Sequence, residues 1–454
     1  MQSNSTTKTL FAPTTFFTFL IPSLIGLLLF ATPVRYQDNL SIPVAALASA
    51  MQSLLDNYLP AIVTCIVLIT GSLTLLVKFT QPGLIRKNTF FYNLFNTTHP
   101  WCAARLLGAA FIISSYFQIG PQAIWSESTG GMVLYDLLPV LFCVFIFAGL
   151  LLPFLMSFGL LELIGTFLTR IMRPLFGLPG RSAVNCITSW LGDGSVGILM
   201  TCKQYESRHY TQKEAAIIGT TFSSVSITFS LIVLSQVKLQ HLFVPFFLTV
   251  CLAGIVAAII VPRLPPLSRK KNHLINGQSP AREEDIPEGH NSLSWGLHRA
   301  LEKAANINII QHVIQDGLKN AIDMVFGVLP VVMCIGTIGL IVAEYTPVFD
   351  YLGMPFVPLL ELLHIPEATK ASTTMVVGFA DMFVPSILAA SIESELTRFV
   401  IAALSLTQLI YLSEVGALLL GSKIPVTLWE LFVIFILRTL VTLPVIAAIA
   451  HLIF

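Results

Sequence analysis

Two short polar breaks inside apolar sequence carry the chemistry of this chain. One is Gly192-Asp193-Gly194-Ser195, within PGRSAVNCITSWLGDGSVGILMTCK at 179–203. The other is Gly378-Phe379-Ala380-Asp381, followed by Pro385, within PEATKASTTMVVGFADMFVPSILAAS at 366–391. A carboxylate at bilayer depth costs at least ~2.5 to 3.5 kcal/mol on insertion scales, so Asp193 and Asp381 need a partner, water or an ion. Their chemistry is ligation. With the hydroxyls of Thr220 and Ser223 they form the expected coupling-ion set, hard oxygen donors suited to Na+ or, at the carboxylates, to H+. Asn185, Thr188, Ser189, Ser195, Thr221, Ser224, Thr373, Thr374, Gln408 and Glu414 are the expected substrate-binding groups. A structural role competes with each assignment, because an Asp can cap a half-helix and small hydroxyls also serve close helix packing.

Bond-making chemistry has no signature. There is no G-x-x-x-x-G-K-[ST], H-E-x-x-H or G-x-S-x-G, and the nine histidines show no ligand spacing, so neither an enzyme nor a metal site is expected. The seven cysteines sit mostly in apolar runs without a C-x-x-C pair, as small membrane hydrophobes do.

The elements that must hold these residues follow from composition. Of 454 residues, 55% are hydrophobic and 11% charged, and the mean hydropathy is +0.81, which defines an integral helical membrane protein. The net charge of +1 carries no basic stripe for nucleic acid. Apolar runs predict membrane helices at about 16–34, 54–79, 104–124, 132–158, 213–236 and 241–261. The first is expected to be a retained helix, since no convincing cleavage site follows it. An amphipathic segment leads in at 42–55, and 159–173, with Arg170 and Arg173, suits the membrane interface. Residues 263–306, rich in Pro, Gly and both charge signs, read as a flexible connector. Each broken run divides into halves about 15 Å long at ~1.5 Å per residue, too short for a hydrocarbon core of about 30 Å. Re-entrant hairpins meeting near the midplane are the economical reading.

After the connector the pattern restarts. Asp136-Leu-Leu-Pro139-Val-Leu-Phe-Cys143 resembles Val328-Leu-Pro330-Val-Val-Met-Cys334, with the prolines and cysteines at one common offset. The segment Pro174 to Pro179 parallels Pro358 to Pro366, the hairpin at 179–203 answers that at 366–391, and helices at 396–420 and 427–453 answer those at 213–236 and 241–261. Three crossings per copy invert the second copy relative to the first. The cations Lys78, Arg86, Lys87, Arg170, Arg173, Arg181, Lys203, Arg208, Arg263, Arg269, Lys270 and Lys271 then share one side, which the positive-inside rule makes cytoplasmic. The expectation is an all-α polytopic membrane protein of about nine transmembrane helices plus two re-entrant hairpins in two inverted repeats. Asp136 and Asp323, near helix starts, read as dipole partners, and Arg438 is the one cation deep in a span.

The LPVL and FGLPG runs of the first half and GFADMFVPS of the second resemble the nucleoside-recognition, or Gate, domain, and the layout resembles the bacterial YjiH family. The resemblance covers about 132–454 and extends distantly to concentrative nucleoside transporters. It implies Gate-like repeats at 132–262 and 307–454, a polar cytoplasmic connector at 263–306, and three scaffold helices in 1–131. The chain departs from the nucleoside carriers at Gly192-Asp193-Gly194-Ser195, where they carry Gln-Thr-Glu, so the substrate stays open between nucleoside-like and peptide- or amino-acid-like. The expected function is an ion-coupled secondary transporter of a small polar metabolite in the bacterial inner membrane, with a cytoplasmic N-terminus and an outside C-terminus. The alternative is a non-transporting subunit that partners with or regulates another Gate-domain protein. Expected partners are the lipid bilayer, the small substrate, and a second Gate-domain subunit or further copies of this chain, with no nucleic acid.

Overall fold

The computed structural model describes residues 13–32, 34–36, 39–80, 87–191, 194–222, 227–280, 291–305, 307 and 311–454. The expected ligands Asp193, Ser223 and Ser224 lie outside these described residues. The chain opens with α1 (Pro13–Ala31) and a small antiparallel ladder, β1 (Val34–Tyr36) with β2 (Asn39–Ser41), in the register Val34 to Ser41 and Tyr36 to Asn39. The sequence reading did not foresee this ladder. Next come α2 (Pro43–Leu55), α3 (Leu59–Thr80), α4 (Thr89–Phe95) and α5 (His99–Phe117), with the Asn88 side chain accepting from Phe90 N to cap α4.

A π-helical turn, Val133–Leu137, feeds α6 (Leu138–Met156), and Gly177 in the left-handed region (φ 69°) stops the amphipathic α7 (Leu160–Phe176). The first broken run forms α8 (Ser182–Leu191) and α9 (Gly194–Glu206), packed on each other. A Thr211–Glu214 capping box starts α10 (Gln212–Thr221), and α11 (Ile227–Gln236) and α12 (Phe243–Ile260) follow. Beyond the connector run α13 (Ser292–Ala305), the 29-residue α14 (Gly317–Tyr345), and the short α15 (Val348–Gly353) and α16 (Val357–Leu362). The second broken run forms α17 (Ala368–Val377) and α18 (Val384–Ala389). Last are α19 (Glu395–Gln408), α20 (Val415–Gly421) and α21 (Leu428–Ile453), the last opened by a Thr427–Glu430 capping box.

This is an all-α polytopic membrane protein but for the small ladder. Seven helical runs among the described residues are long and apolar enough to cross a bilayer: 13–30, 59–80, 99–117, 122–156, 240–263, 313–345 and 428–453. The runs containing α14 and α6 are 72% and 61% buried, against 28% for α1 and 22% for α5, so α6 and α14 form the centre and α1 and α5 the rim. Two further expected spans depart from continuous helix. In 213–236, α10 ends at Thr221 and Phe222 leaves the helical region (φ −115°, ψ 2°). In 396–420, α19 ends at Gln408, with Leu409 left-handed at φ 60°. Hydropathy averaged over a span is blind to such breaks: the first is marked only by small hydroxyl residues and the second is followed by the apolar Leu409 to Leu412.

The connector also departs from its expected flexibility. Leu297, Ala300, Leu301 and Ala304 recur at helical spacing, and α13 buries that stripe against α7 and α1. Lys303 Nζ donates to the Met156 carbonyl (2.8 Å) and to Glu162 Oε1 (2.9 Å), and Arg181 pairs with the same Glu162 oxygen at 2.8 Å. One buried carboxylate thus ties together α7, the start of the first hairpin and the connector helix. Burial favours neutral Glu162, but the two cations outweigh it and hold its carboxyl below the usual range. Burial lowers Lys303 by more than Glu162 raises it, and burial with Arg181 and Lys303 pushes His209 down to about 3. At the other end of the connector, Lys270 pairs with Glu430 at 2.7 Å, and Gln212 N donates to the His273 carbonyl (2.8 Å).

Candidate functional site

The site is built where two breaks meet. Between α17 and α18 the chain turns through Gly378 to Phe383, and between α19 and α20 it runs through Leu409 to Glu414 without helical hydrogen bonding. The two segments bond to each other: Leu412 N donates to the Phe379 carbonyl (2.8 Å) and Ser413 N to the Ala380 carbonyl (2.9 Å). The freed backbone groups therefore satisfy one another, as buried amides must. Gly378 allows the approach, because a Cβ there would come within 2.5 Å of Gln408 Oε1.

Asp381 sits at this junction, 6% exposed. Its Oδ1 accepts from Phe383 N (2.8 Å) and its Oδ2 from Ser413 Oγ (2.6 Å), two bonds that fix the orientation of the carboxyl group. A cavity of about 260 Å³ opens beside it, lined by Asp136, Asp381, Glu414, Phe229, Phe383 and Tyr411 among others. Tyr411 Oη lies 3.3 Å from Glu414 Oε2. Three carboxyl side chains and no basic residue line this space. Among the described residues no group of three or more His, Cys, Asp or Glu is placed to hold a metal ion.

The remaining expected residues divide. Gln408 belongs to the junction: its Nε2 donates to the Met375 carbonyl and Thr439 Oγ1, both at 2.8 Å, tying α19 to α17 and α21. Thr374 donates to the Ala371 carbonyl of its own helix (2.6 Å), and Thr373 to Asp350 on α15 (3.0 Å); neither lines the Asp381 cavity. Thr220 donates to the Ala216 carbonyl (2.7 Å). In the first hairpin, Asn185 is held by Thr201 (3.1 Å) and Gln204 (2.8 Å), bonds that lock α8 onto α9. Ser189 and Ser195 are buried there too, and a Cβ at Gly197 would overlap Ser189 Oγ, so that glycine sets the spacing of the two limbs. The Thr188 and Thr221 hydroxyls are buried without a hydrogen-bond partner among the described residues.

Sequence reasoning missed a second feature. A cavity of about 920 Å³ opens between α4, α5, α9, α14 and the turn after α20. Lys203 on α9 crosses it to Asp323 on α14, also pairs with Glu206 at 3.2 Å, and Glu206 pairs with Lys423 at 3.1 Å. Asp323 is thus an ion-pair partner, not a helix-dipole partner. Arg105, 6% exposed, stands in the wall, donating to the carbonyls of Leu94 (2.8 Å) and Gly327 (3.4 Å). The signal available in the sequence was Lys203 at the end of an apolar run, a cation with no local partner but Glu206.

A model of the Gate family, described as nucleoside recognition, matches residues 138–240. An uncharacterized protein of Alkalihalophilus pseudofirmus is 50% identical over 436 residues, 96% of this chain and 94% of that one. The chain belongs to the Gate-domain membrane proteins, with a YjiH-like layout.

The Gate match begins with α6 and ends just past α11, so it takes in the whole first hairpin, the α10 to α11 interruption and Lys203. Asp381, Gln408, Ser413 and Arg438 lie beyond it.

Proposed function

We propose that this Gate-domain protein is a secondary active transporter that moves a small polar metabolite, nucleoside-like or peptide- and amino-acid-like, by alternating access coupled to Na+ or H+. One observation carries the reading: a buried carboxylate, Asp381, held by Ser413 and Phe383 N where two interrupted helices meet. Broken helices at bilayer depth persist where they line a binding site, and freed carbonyls beside a carboxylate are the donors that ligate a coupling ion. In this reading Asp381 binds the cation, Asp193 plays the equivalent part in the first hairpin, and Gln408 and Glu414 present hydrogen-bonding groups to substrate.

Inverted repeats at 132–262 and 307–454 are supported by matched interruptions, after Thr221 in one half and after Gln408 in the other, each following a short-limbed hairpin. The charge pattern supports a bacterial inner-membrane topology with the N-terminus and connector cytoplasmic. The wide cavity spanned by Lys203 and Asp323 would then face the cytoplasm, and breaking that pair would accompany opening there. Uptake of labelled nucleosides and short peptides by proteoliposomes holding this protein alone, under separate Na+ and pH gradients, tests the proposal. Gradient-driven uptake that Asp381→Asn abolishes supports it; folded, oriented protein that transports no member of either class overturns it.

A further inference from the structure

We propose that Arg438, with Thr221, forms a site for a small monovalent anion of halide or carboxylate size. Arg438 lies in the middle of α21 and is fully buried. Its Nε and Nη2 both donate to the Thr407 carbonyl, at 2.9 and 2.7 Å. Thr407 stands in the last turn of α19, whose carbonyls lose their helical partners because the helix ends at Gln408. The guanidinium therefore caps a broken helix and meets the negative end of its dipole.

That role uses only part of the group. Arg438 Nη1 is buried without a hydrogen-bond partner, and no carboxylate of the described residues lies within 4.0 Å of the guanidinium. Thr221 Oγ1, at the end of α10, is likewise buried without a partner among the described residues. Both side chains line one cavity of about 30 Å³, whose walls are otherwise mostly apolar, including Phe176, Phe222, Leu406 and Leu409. Space of this size holds about two waters, or one ion of halide size.

Charge decides between water and anion. Water would satisfy the free donor but leave the guanidinium charge offset only by the end of α19, whereas a monovalent anion accepts from Nη1 and from Thr221 and neutralises the remaining charge. The anion is either free in solution or the carboxylate of a bound solute. The inference does not depend on the transport reading, since binding is measured without a gradient.

The test is thermal unfolding of purified full-length protein in sodium chloride, bromide, acetate or gluconate at equal ionic strength, with bromide located by anomalous scattering. The expected result is saturable stabilisation by bromide and chloride over gluconate, with bromide density in contact with Arg438. Arg438→Gln should abolish the response. Thr221→Val, which keeps the charge, should weaken it by about threefold to tenfold, the worth of one hydrogen bond. Gly254→Val offers a variant that leaves Arg438 intact, because a Cβ at Gly254 meets nothing within 4 Å and a larger side chain fills the cavity it lines. Displacement of bromide by acetate identifies a carboxylate site; displacement by chloride but not acetate identifies a free-halide site. Folded wild-type protein that responds equally to all four salts, or an Arg438→Gln variant that keeps the response, overturns the proposal.

Discussion

Asp381→Asn separates the charge of the junction from its shape. The new amide oxygen still accepts from Phe383 N, now 2.8 Å from Oδ1, and the Ser413 hydroxyl, 2.6 Å from Oδ2, can turn to accept from the new amide nitrogen. The fold loses the difference between two charge-assisted bonds and two neutral ones, about 1 to 2 kcal/mol in all. The cation loses more. At about 4 Å and an effective dielectric near 20, one unit of charge attraction is worth ~4 kcal/mol, or roughly a thousandfold in affinity. Thermal stabilisation by Na+ against choline, and by lowered pH, reports binding; gradient-driven uptake reports coupling. The variant should stay folded within a few degrees of wild type and lose the ion response in both assays. Asp381→Ala is the contrasting control, since it strands Phe383 N and the Ser413 hydroxyl in a buried place and should cost roughly 2 to 4 kcal/mol of stability. An Asp381→Asn protein with wild-type ion dependence would refute the assignment of this carboxylate.

Two further outcomes follow from the ion pairs. Lys203→Met leaves Asp323 facing the large cavity without its partner; with side chains 10% and 25% exposed, the loss should be roughly 1 to 3 kcal/mol, and an Asp323→Leu partner change should restore most of it in a double-mutant cycle of unfolding midpoints. At the connector, the protection of α13 amides, taken relative to the intrinsic exchange rate at each pH, should fall with acid in two stages. His209 is held near 3 against an ordinary 6.5, so below 6.5 the opened chain gains a proton that the closed form refuses, and protection begins to fall; His209→Gln should remove this stage. Glu162 sits below the usual carboxylate range, so its contribution is complete above that range and lost as pH falls through its folded value; Glu162→Gln should lose protection at every pH and show no second stage. Protection factors in α13 that stay constant between neutral pH and 3 would contradict both.

Membrane class, the approximate position of most spans and the location of both hairpins were legible in the sequence, because hydropathy and turn-forming residues act over a few neighbours. The Asp at the second break was legible for the same reason: a carboxylate in an apolar run stands out by type alone. The docking of α13 was missed although its apolar stripe was present, because Pro, Gly and mixed charge before it, at 263–291, dominated the reading of the segment.

What the sequence by itself determined is that this chain lives in a bilayer and breaks there at polar points. Only the tertiary structure decided which points meet. Asp381 finds Ser413 32 residues away, Lys203 finds Asp323 120 residues away, and Arg438 finds the Thr407 carbonyl 31 residues away. Each pairing depends on how helices cross and where one of them ends, and the break after Gln408 is flanked by residues as apolar as the helix itself. Local pattern fixes which groups are buried and polar; packing alone chooses their partners, because in a low-dielectric interior each such group must find one.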